Sequence, residues 1–256
     1  MGPAEPQRLV YAIGDIHGRL DLLEETAAAI EAHRDGRPAT LVFLGDYVDR
    51  GPDSRGVIDW LIRAQAEQDV ICLKGNHEAL MIMSLRAHDR EAEAMWMSNG
   101  GVETLTSYEG HDPEDHLDWI DSLPLYWQDG HRIYVHAGLF PSVRLDAQSE
   151  ESCLWIRQRF LRAIPAELPG HVVHGHTPKW DGKPDPSEPE LLAHRTNLDT
   201  GAYFTGVLTV GVFDRDKAGG PTGLLMTAPL IADRSEALAT WAREAELFRR
   251  RRSREA

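Results

Sequence analysis

Gly75-Asn76-His77-Glu78 follows directly on the apolar run at residues 70–73. A short buried strand that empties into an amide, an imidazole and a carboxylate has the form of a ligand-holding loop on an α/β sheet, where binding groups gather beyond the carboxyl ends of strands. The same arrangement recurs four more times outward from it. Residues 9–13 end in Gly14-Asp15-Ile16-His17-Gly18, and residues 41–44 in Gly45-Asp46-Tyr47-Val48-Asp49-Arg50-Gly51. Residues 133–135 end in His136-Ala137-Gly138-Leu139, and Val172-Val173 in His174-Gly175-His176-Thr177-Pro178. Each piece alone reads as a turn. Five strand ends with ligand-type side chains beside glycine, the residue that permits tight loops, predict one composite site.

The segments between these loops read as helices. Leu20, Leu23, Ala27 and Ile30 recur at helical spacing until Asp35-Gly36-Arg37-Pro38 breaks the pattern. Pro52 and Ser54 open a second helix whose apolar face is Val57, Ile58, Leu61 and Ile62. Strand, polar loop and helix in alternation predict an α/β fold. Residues 79–129 change character to Met- and Trp-rich helices, read as an insertion packed beside the site. Two roles stay open for it: a wall of the substrate mouth, or core, because Met fills irregular packing gaps at Met81, Met83, Met95 and Met97 with Trp96 among them.

Residues 154–161 read as one helix, residues 179–189 as an exposed proline-rich loop, residues 197–201 and 207–213 as strands, and Gly219-Gly220-Pro221 as a turn. From Ser235 the sequence is helix-forming, with a polar tail after about residue 246 that carries Arg249 to Arg252. No repeat or domain boundary interrupts residues 1–256, which predicts a single domain.

With 42% hydrophobic and 27% charged residues and no apolar run of membrane-spanning length, the composition is that of a soluble protein, and no membrane partner is expected. The opening MGPAEPQR lacks a secretory signal, and Pro6 spoils a myristoylation pattern, so a cytoplasmic location is expected. Cys72 and Cys153 are too few for a disulfide framework. The net charge of −14 argues against a nucleic-acid binder, whose affinity comes from Lys and Arg on phosphates. An anionic ligand would have to be drawn in by metal ions.

Asp15, His17, Asp46, Asn76, His136 and His176 offer imidazole, carboxylate and amide donors with no thiolate, a set that suits Mn²⁺, Fe or Zn²⁺. Six ligands suffice for two divalent ions sharing one carboxylate. Such a pair, roughly 3.5 Å apart, clamps a phosphoryl group and generates hydroxide near neutral pH for direct in-line attack. Arg50 could then neutralise phosphate oxygens and His77 protonate the leaving alkoxide, with Asp49 holding the useful tautomer.

The three blocks at residues 14–18, 45–51 and 75–78 resemble the signature blocks of the phosphoprotein phosphatase family of metal-dependent serine/threonine phosphatases, within the metallophosphoesterase superfamily. His136-Ala137-Gly138-Leu139 and Gly175-His176-Thr177-Pro178 look like its later blocks in bacterial and phage members. The resemblance covers residues 14–178 and implies a four-layer fold, a central β-sandwich of mixed sheets flanked by helices. It implies that Asp15 and His17 bind one metal, that Asp46 bridges, and that Asn76, His136 and His176 bind the second, with Mn²⁺ the expected ion. His77 would be the general acid oriented by Asp49, and Arg50 and Asn76 would contact the substrate phosphate. Arg157, in Leu154-Trp155-Ile156-Arg157, is similar to a second phosphate-binding arginine, with Arg159 as the fallback. His174 reads as a packed strand residue.

The expected partner is a phosphorylated protein or peptide. Dinucleoside polyphosphate hydrolysis is the alternative, since Asp199-Thr200-Gly201 also resembles the symmetrical dinucleoside tetraphosphate hydrolases. Glu78 and Asp49 depart from their pattern. Pro178 stands where cyclic-nucleotide phosphodiesterases place a histidine. Cys153 and Arg159 match a Cys-x5-Arg thiol phosphatase spacing, but Leu154, Trp155 and Ile156 are too bulky for a phosphate-wrapping loop. A metal-bound scaffold without catalysis is the non-enzyme reading.

Overall fold

The computed structural model describes residues 8–179 and 187–227. In chain order its first half holds β1 (Leu9–Ile13), α1 (Leu20–Arg34), β2 (Ala39–Phe43), α2 (Ser54–Glu67), β3 (Val70–Cys72), α3 (Asn76–Leu85), α4 (Arg90–Trp96), α5 (Val102–Ser107) and α6 (Glu114–Asp121). Its second half holds β4 (Tyr126–Gln128), β5 (Arg132–Val135), α7 (Glu150–Trp155), α8 (Gln158–Leu161), β6 (His171–His174), β7 (Glu190–Leu191), β8 (Arg195–Asn197), α9 (Ala202–Thr205), β9 (Thr209–Asp214) and β10 (Gly223–Met226).

The strands form two five-stranded mixed sheets, ordered β10-β9-β1-β2-β3 and β4-β5-β6-β8-β7. In the first, β1, β2 and β3 are parallel and β9 runs against β1; in the second, β5, β6 and β8 are parallel with antiparallel edges. β1 is buried along its whole length because alternate residues serve two interfaces. Leu9, Tyr11 and Ile13 pack with residues of α1 and α2. Val10 and Ala12 pack instead with Tyr134, Val173 and Leu198 from the other sheet. Helix layer, sheet, sheet and a second helix layer containing Cys153 and Phe160 make the four-layer sandwich expected from the resemblance.

The turn at Asp35 ends α1 in a left-handed conformation, φ 48°. Asp53 caps α2 by accepting the Gly56 N–H at 2.7 Å. Residues 79–129 build their own core from Leu80, Met81, Ala92, Trp96, Tyr108, Leu117 and Ile120, closed on Val48 and Ile58. Met81 and Trp96 are therefore core, whereas Met83 and Met95 are 43% and 48% exposed.

Three features differ from the sequence reading. β4, β7 and β10 are short strands at sheet edges, where half-exposed residues carry no clear alternation. The strand read at residues 197–201 is instead β8 at Arg195–Asn197, with residues 198–201 leading into α9, whereas Gly219-Gly220-Pro221 lies, as read, in the link between β9 and antiparallel β10. The helix read at residues 154–161 is two helices, because Ile156 is extended and Arg157 lies outside helical space (φ −128°, ψ −102°). The helix-forming end from Ser235, the arginine-rich tail and residues 180–186 of the proline-rich loop lie outside the described residues. No helix among the described residues is long and apolar enough to cross a membrane.

Candidate active site

The loops after β1, β2, β3, β5 and β6 meet at one end of the sandwich. Their backbone is strained there: His17, Asp46, Asp49, Arg50 and His176 are five of the eight described non-glycine residues with positive φ, from 47° to 74°. Left-handed backbone costs such residues of order 1–3 kcal/mol each, and persists only where the surroundings over-determine it. Glu78 is one such determinant. Its buried carboxylate accepts four backbone N–H groups, from Asp46, Tyr47, Val48 and Gly75, at 2.8–3.3 Å. A Cβ on Gly75 would stand 2.3 Å from the Asp46 nitrogen, so glycine is required where the two loops touch.

Protonation follows from the hydrogen bonds. His136 Nδ1 donates to the Leu44 carbonyl at 2.9 Å. Burial holds this imidazole neutral, its pKa lowered to about 4. Nε2 therefore carries a lone pair. Around it stand Asn76 Oδ1 at 2.9 Å, His176 Nδ1 at 3.2 Å and Asp46 Oδ1 at 3.3 Å. Electron-rich atoms crowded this closely repel one another unless a cation lies among them, and nitrogen and oxygen donors suit a divalent ion. His176 Nε2 is buried and has no hydrogen-bond partner among the described residues. The donor set thus fits metal binding.

Beside it, His17 Nδ1 donates to the Val48 carbonyl at 2.8 Å, which leaves Nε2 facing Asp46 Oδ2 at 3.5 Å. His17, Asp46 and His77 form one tight group of ligand-type atoms, and Asp46, His136 and His176 a second, so Asp46 belongs to both. Asp15 stands slightly apart, accepting the His176 N–H at 3.0 Å. Burial, with the neighbouring Asp199 and Asp46 carboxylates, pushes Asp15 well above the usual carboxylate range. Burial likewise raises Asp46 to about 7 and Asp199 to about 6. A buried surplus of carboxylates is a second sign that cations belong here.

His77 Nδ1 lies 2.5 Å from Asp49 Oδ2, and both are buried. Arg50 donates from Nη1 to His17 Nε2 at 2.9 Å and from Nη2 to His77 Nε2 at 3.1 Å, over the half-buried ring of Tyr203. The break between α7 and α8 turns Arg157 towards the site, where Nη1 donates to the His176 carbonyl and Thr177 Oγ1. Arg159 instead covers Phe140, 4.2 Å above its ring. His174 is buried under Phe160, its pKa lowered to about 3 by burial and Arg195, away from the ligand group. Cys153 is buried with its thiol pushed up to about 11, so no thiolate nucleophile is available at neutral pH.

The structure brings Asp15, His17, Asp46, Asp49, Arg50, Asn76, His77, His136, Arg157 and His176 together. Missing from the sequence reading as site residues are Asp199, Thr104, Ser54 and Tyr203. Asp199-Thr200-Gly201 is at least a sequence signal, following the short β8. Thr104 and Ser54 carry none, since a hydroxyl's partner is set by tertiary packing.

The family described as Metallophos, calcineurin-like phosphoesterase, matches residues 9–206. Serine/threonine-protein phosphatase 1 of Salmonella typhimurium (strain LT2) is 30% identical over 223 residues, 81% of this chain and 93% of that protein. A symmetrical bis(5'-nucleosyl)-tetraphosphatase of Neisseria meningitidis is 33% identical over 135 residues, 53% of this chain but only 45% of that protein. Among solved structures, the crystal structure of a protein provisionally named a diadenosine tetraphosphatase shares the fold (TM-score 0.57, 24% identity, 87% of this chain and 97% of that one). With the sandwich, the convergent loops and a match over most of its length, this chain belongs to the calcineurin-like phosphoesterase family.

Proposed function

We propose that the chain is a cytoplasmic, divalent-metal-dependent phosphomonoesterase acting on phosphoserine or phosphothreonine in proteins and peptides. The observation that carries this reading is the buried Asp49–His77 pair at 2.5 Å. A serine alkoxide is a strong base and leaves only with a proton, whereas the phosphate leaving group of a polyphosphate is a weak base that needs none. A built proton donor is therefore of most use on a phosphate ester of an alcohol.

Asp15, His17 and Asp46 would hold one ion, and Asp46, Asn76, His136 and His176 the second, with Mn²⁺ the expected metal and Fe or Zn²⁺ compatible with the donors. When bound, the pair supplies Lewis acidity and hydroxide at neutral pH. The chain's own residues do the rest. Arg50 and Arg157, both half-buried, present guanidinium donors to the phosphate oxygens, where charge-assisted bonds are strong. Asn76 opens α3, whose N-terminus adds positive potential toward the phosphate. Arg50, which donates to His77 Nε2 in this structure, would turn that donor to the phosphate, and His77, protonated there and stabilised by Asp49 at Nδ1, would then give its Nε2 proton to the departing alkoxide.

Dinucleoside polyphosphate hydrolysis is the second reading. It is favoured by Asp199, buried within charge reach of Asp15, Asp46 and both arginines, and by the name of the Neisseria relative. A panel of phosphopeptides of all three hydroxyl residues, dinucleoside polyphosphates and cyclic nucleotides, assayed with the Mn²⁺-loaded protein and a chelated control, tests the proposal. Faster turnover of a dinucleoside tetraphosphate than of any phosphopeptide would overturn it.

A further inference from the structure

We infer that Thr104 and Trp96, both from the helical segment at residues 79–129, are positioning residues that hold the Asp49 carboxylate against His77. The inference rests on reading His77 as the leaving-group acid.

Asp49 Oδ1 accepts two hydrogen bonds, from the Thr104 hydroxyl at 2.6 Å and from Trp96 Nε1 at 2.8 Å. That leaves Oδ2 for His77 Nδ1. The Asp49 backbone N–H is also claimed, shared between Ser54 Oγ and Thr104 Oγ1 at 2.9 Å each. Thr104 therefore grips the same residue at main chain and side chain. Its one hydroxyl hydrogen goes to the carboxylate, and Ser54 Oγ, 3.0 Å away, can donate to its oxygen. Asp49, Ser54, Trp96 and Thr104 are all fully buried, so no water replaces a lost partner.

The approach of both side chains depends on a kink between α4 and α5. Gly100 there has φ 110°, and a Cβ on it would stand 2.3 Å from the Arg50 nitrogen. Trp96, on one side of the kink, packs its rings into the helical core but sends its N–H out to the carboxylate. Thr104, on the other side, lies outside the apolar clusters. The segment thus meets the site from behind the acid. Without these two donors Asp49 is free to turn, and His77 loses the partner that holds its proton-bearing form in line.

The test compares Thr104→Val, which keeps the shape and removes the hydroxyl, Thr104→Ser, which restores it, and Trp96→Phe, which keeps the ring and removes the N–H. The Mn²⁺-loaded variants are assayed for kcat and KM on a phosphoserine peptide and on aryl phosphates of graded leaving-group basicity, beside His77→Asn, with bound metal and thermal midpoint measured. Thr104→Val is expected to lower kcat on the phosphoserine peptide by roughly 10–100-fold, part of the 10²–10⁴ that general acid catalysis supplies. The loss shrinks for the best aryl leaving groups, KM and metal content hold, Thr104→Ser recovers most of the rate, and Trp96→Phe shows a smaller loss of the same selectivity. If His77→Asn is selective for basic leaving groups while Thr104→Val and Trp96→Phe slow all substrates alike or none, the positioning role is overturned and the acid reading stands. If His77→Asn itself shows no such selectivity, both fall. Should Thr104→Val fail to fold, Thr104→Ala and Trp96→Phe decide by the same split.

Discussion

Glu78 holds Asp46 through the main chain: its Oε2 accepts the Asp46 N–H at 2.8 Å, and Oε1 takes the N–H groups of the next two residues, Tyr47 and Val48. The loop after β3 thereby sets the left-handed shape of the loop after β2. Glu78→Gln keeps the length but turns an NH₂ group toward N–H donors, leaving buried groups unpaired. A loss of about 3 kcal/mol is expected, given roughly 1–3 kcal/mol for each unsatisfied buried group. Urea denaturation measures it, and wild-type stability would remove Glu78 as the clamp.

His77→Asn should leave both metal positions filled while kcat on a phosphoserine peptide falls by roughly 10²–10⁴. Steady-state kinetics with parallel metal analysis checks this. An undiminished rate on a basic leaving group would falsify the acid assignment.

Asp46→Asn should instead empty the site. Asp46 Oδ1 faces His136 and Oδ2 faces His17, at 3.3 and 3.5 Å, so its charge serves both donor groups. Elemental analysis of the purified variant is expected to find well under the wild-type metal content. Full loading would show that Asp46 is not shared.

Arg157→Ala and Arg159→Ala should separate cleanly. Arg157 points at the His176 carbonyl, within charge reach of Asp46, and its loss should raise KM and lower kcat, together by roughly 10–100-fold for a lost charge-assisted pair of about 1.5–3 kcal/mol. Arg159 lies over Phe140 and its removal should leave kinetics unchanged. The reverse result would move the phosphate-binding role to Arg159.

Without metal, stability should fall as pH rises through neutrality. Asp46, raised to about 7 by burial, contributes stability that is fully present below its unfolded value and is lost as pH passes the folded one. Asp15 is raised in the same direction. The buried imidazoles of His17, His136 and His176 have lowered values, so they cost stability only as pH falls below about 6.5, the value of a free histidine. Above that point the carboxylates decide the slope. Thermal unfolding of chelated protein from pH 6.5 upward should show a falling midpoint that added Mn²⁺ abolishes, and a flat chelated curve would count against these raised values.

The apolar runs alone show where the strands of the sandwich centre end and what they deliver, because a strand buried on both faces must be apolar and its polar successor stands out. That Asp15, His17, Asp46, Asn76, His136 and His176 gather at one end of the sandwich was legible for that reason. The edge strands β4, β7 and β10 were not, since half-exposed positions tolerate any pattern. Tertiary structure alone puts Arg157, and not Arg159, beside the His176 loop, through a helix break that the apolar spacing of residues 154–161 conceals. It alone also brings the helical segment to Asp49. Local spacing cannot show that Trp96 and Thr104, 47 and 55 residues from Asp49 in the chain, each lend it a hydrogen, because a hydrogen bond's partner depends on distance in space. Glu78 lies between these cases: its position beside His77 was plain, but its four backbone partners appear only when two loops from neighbouring strands are brought together.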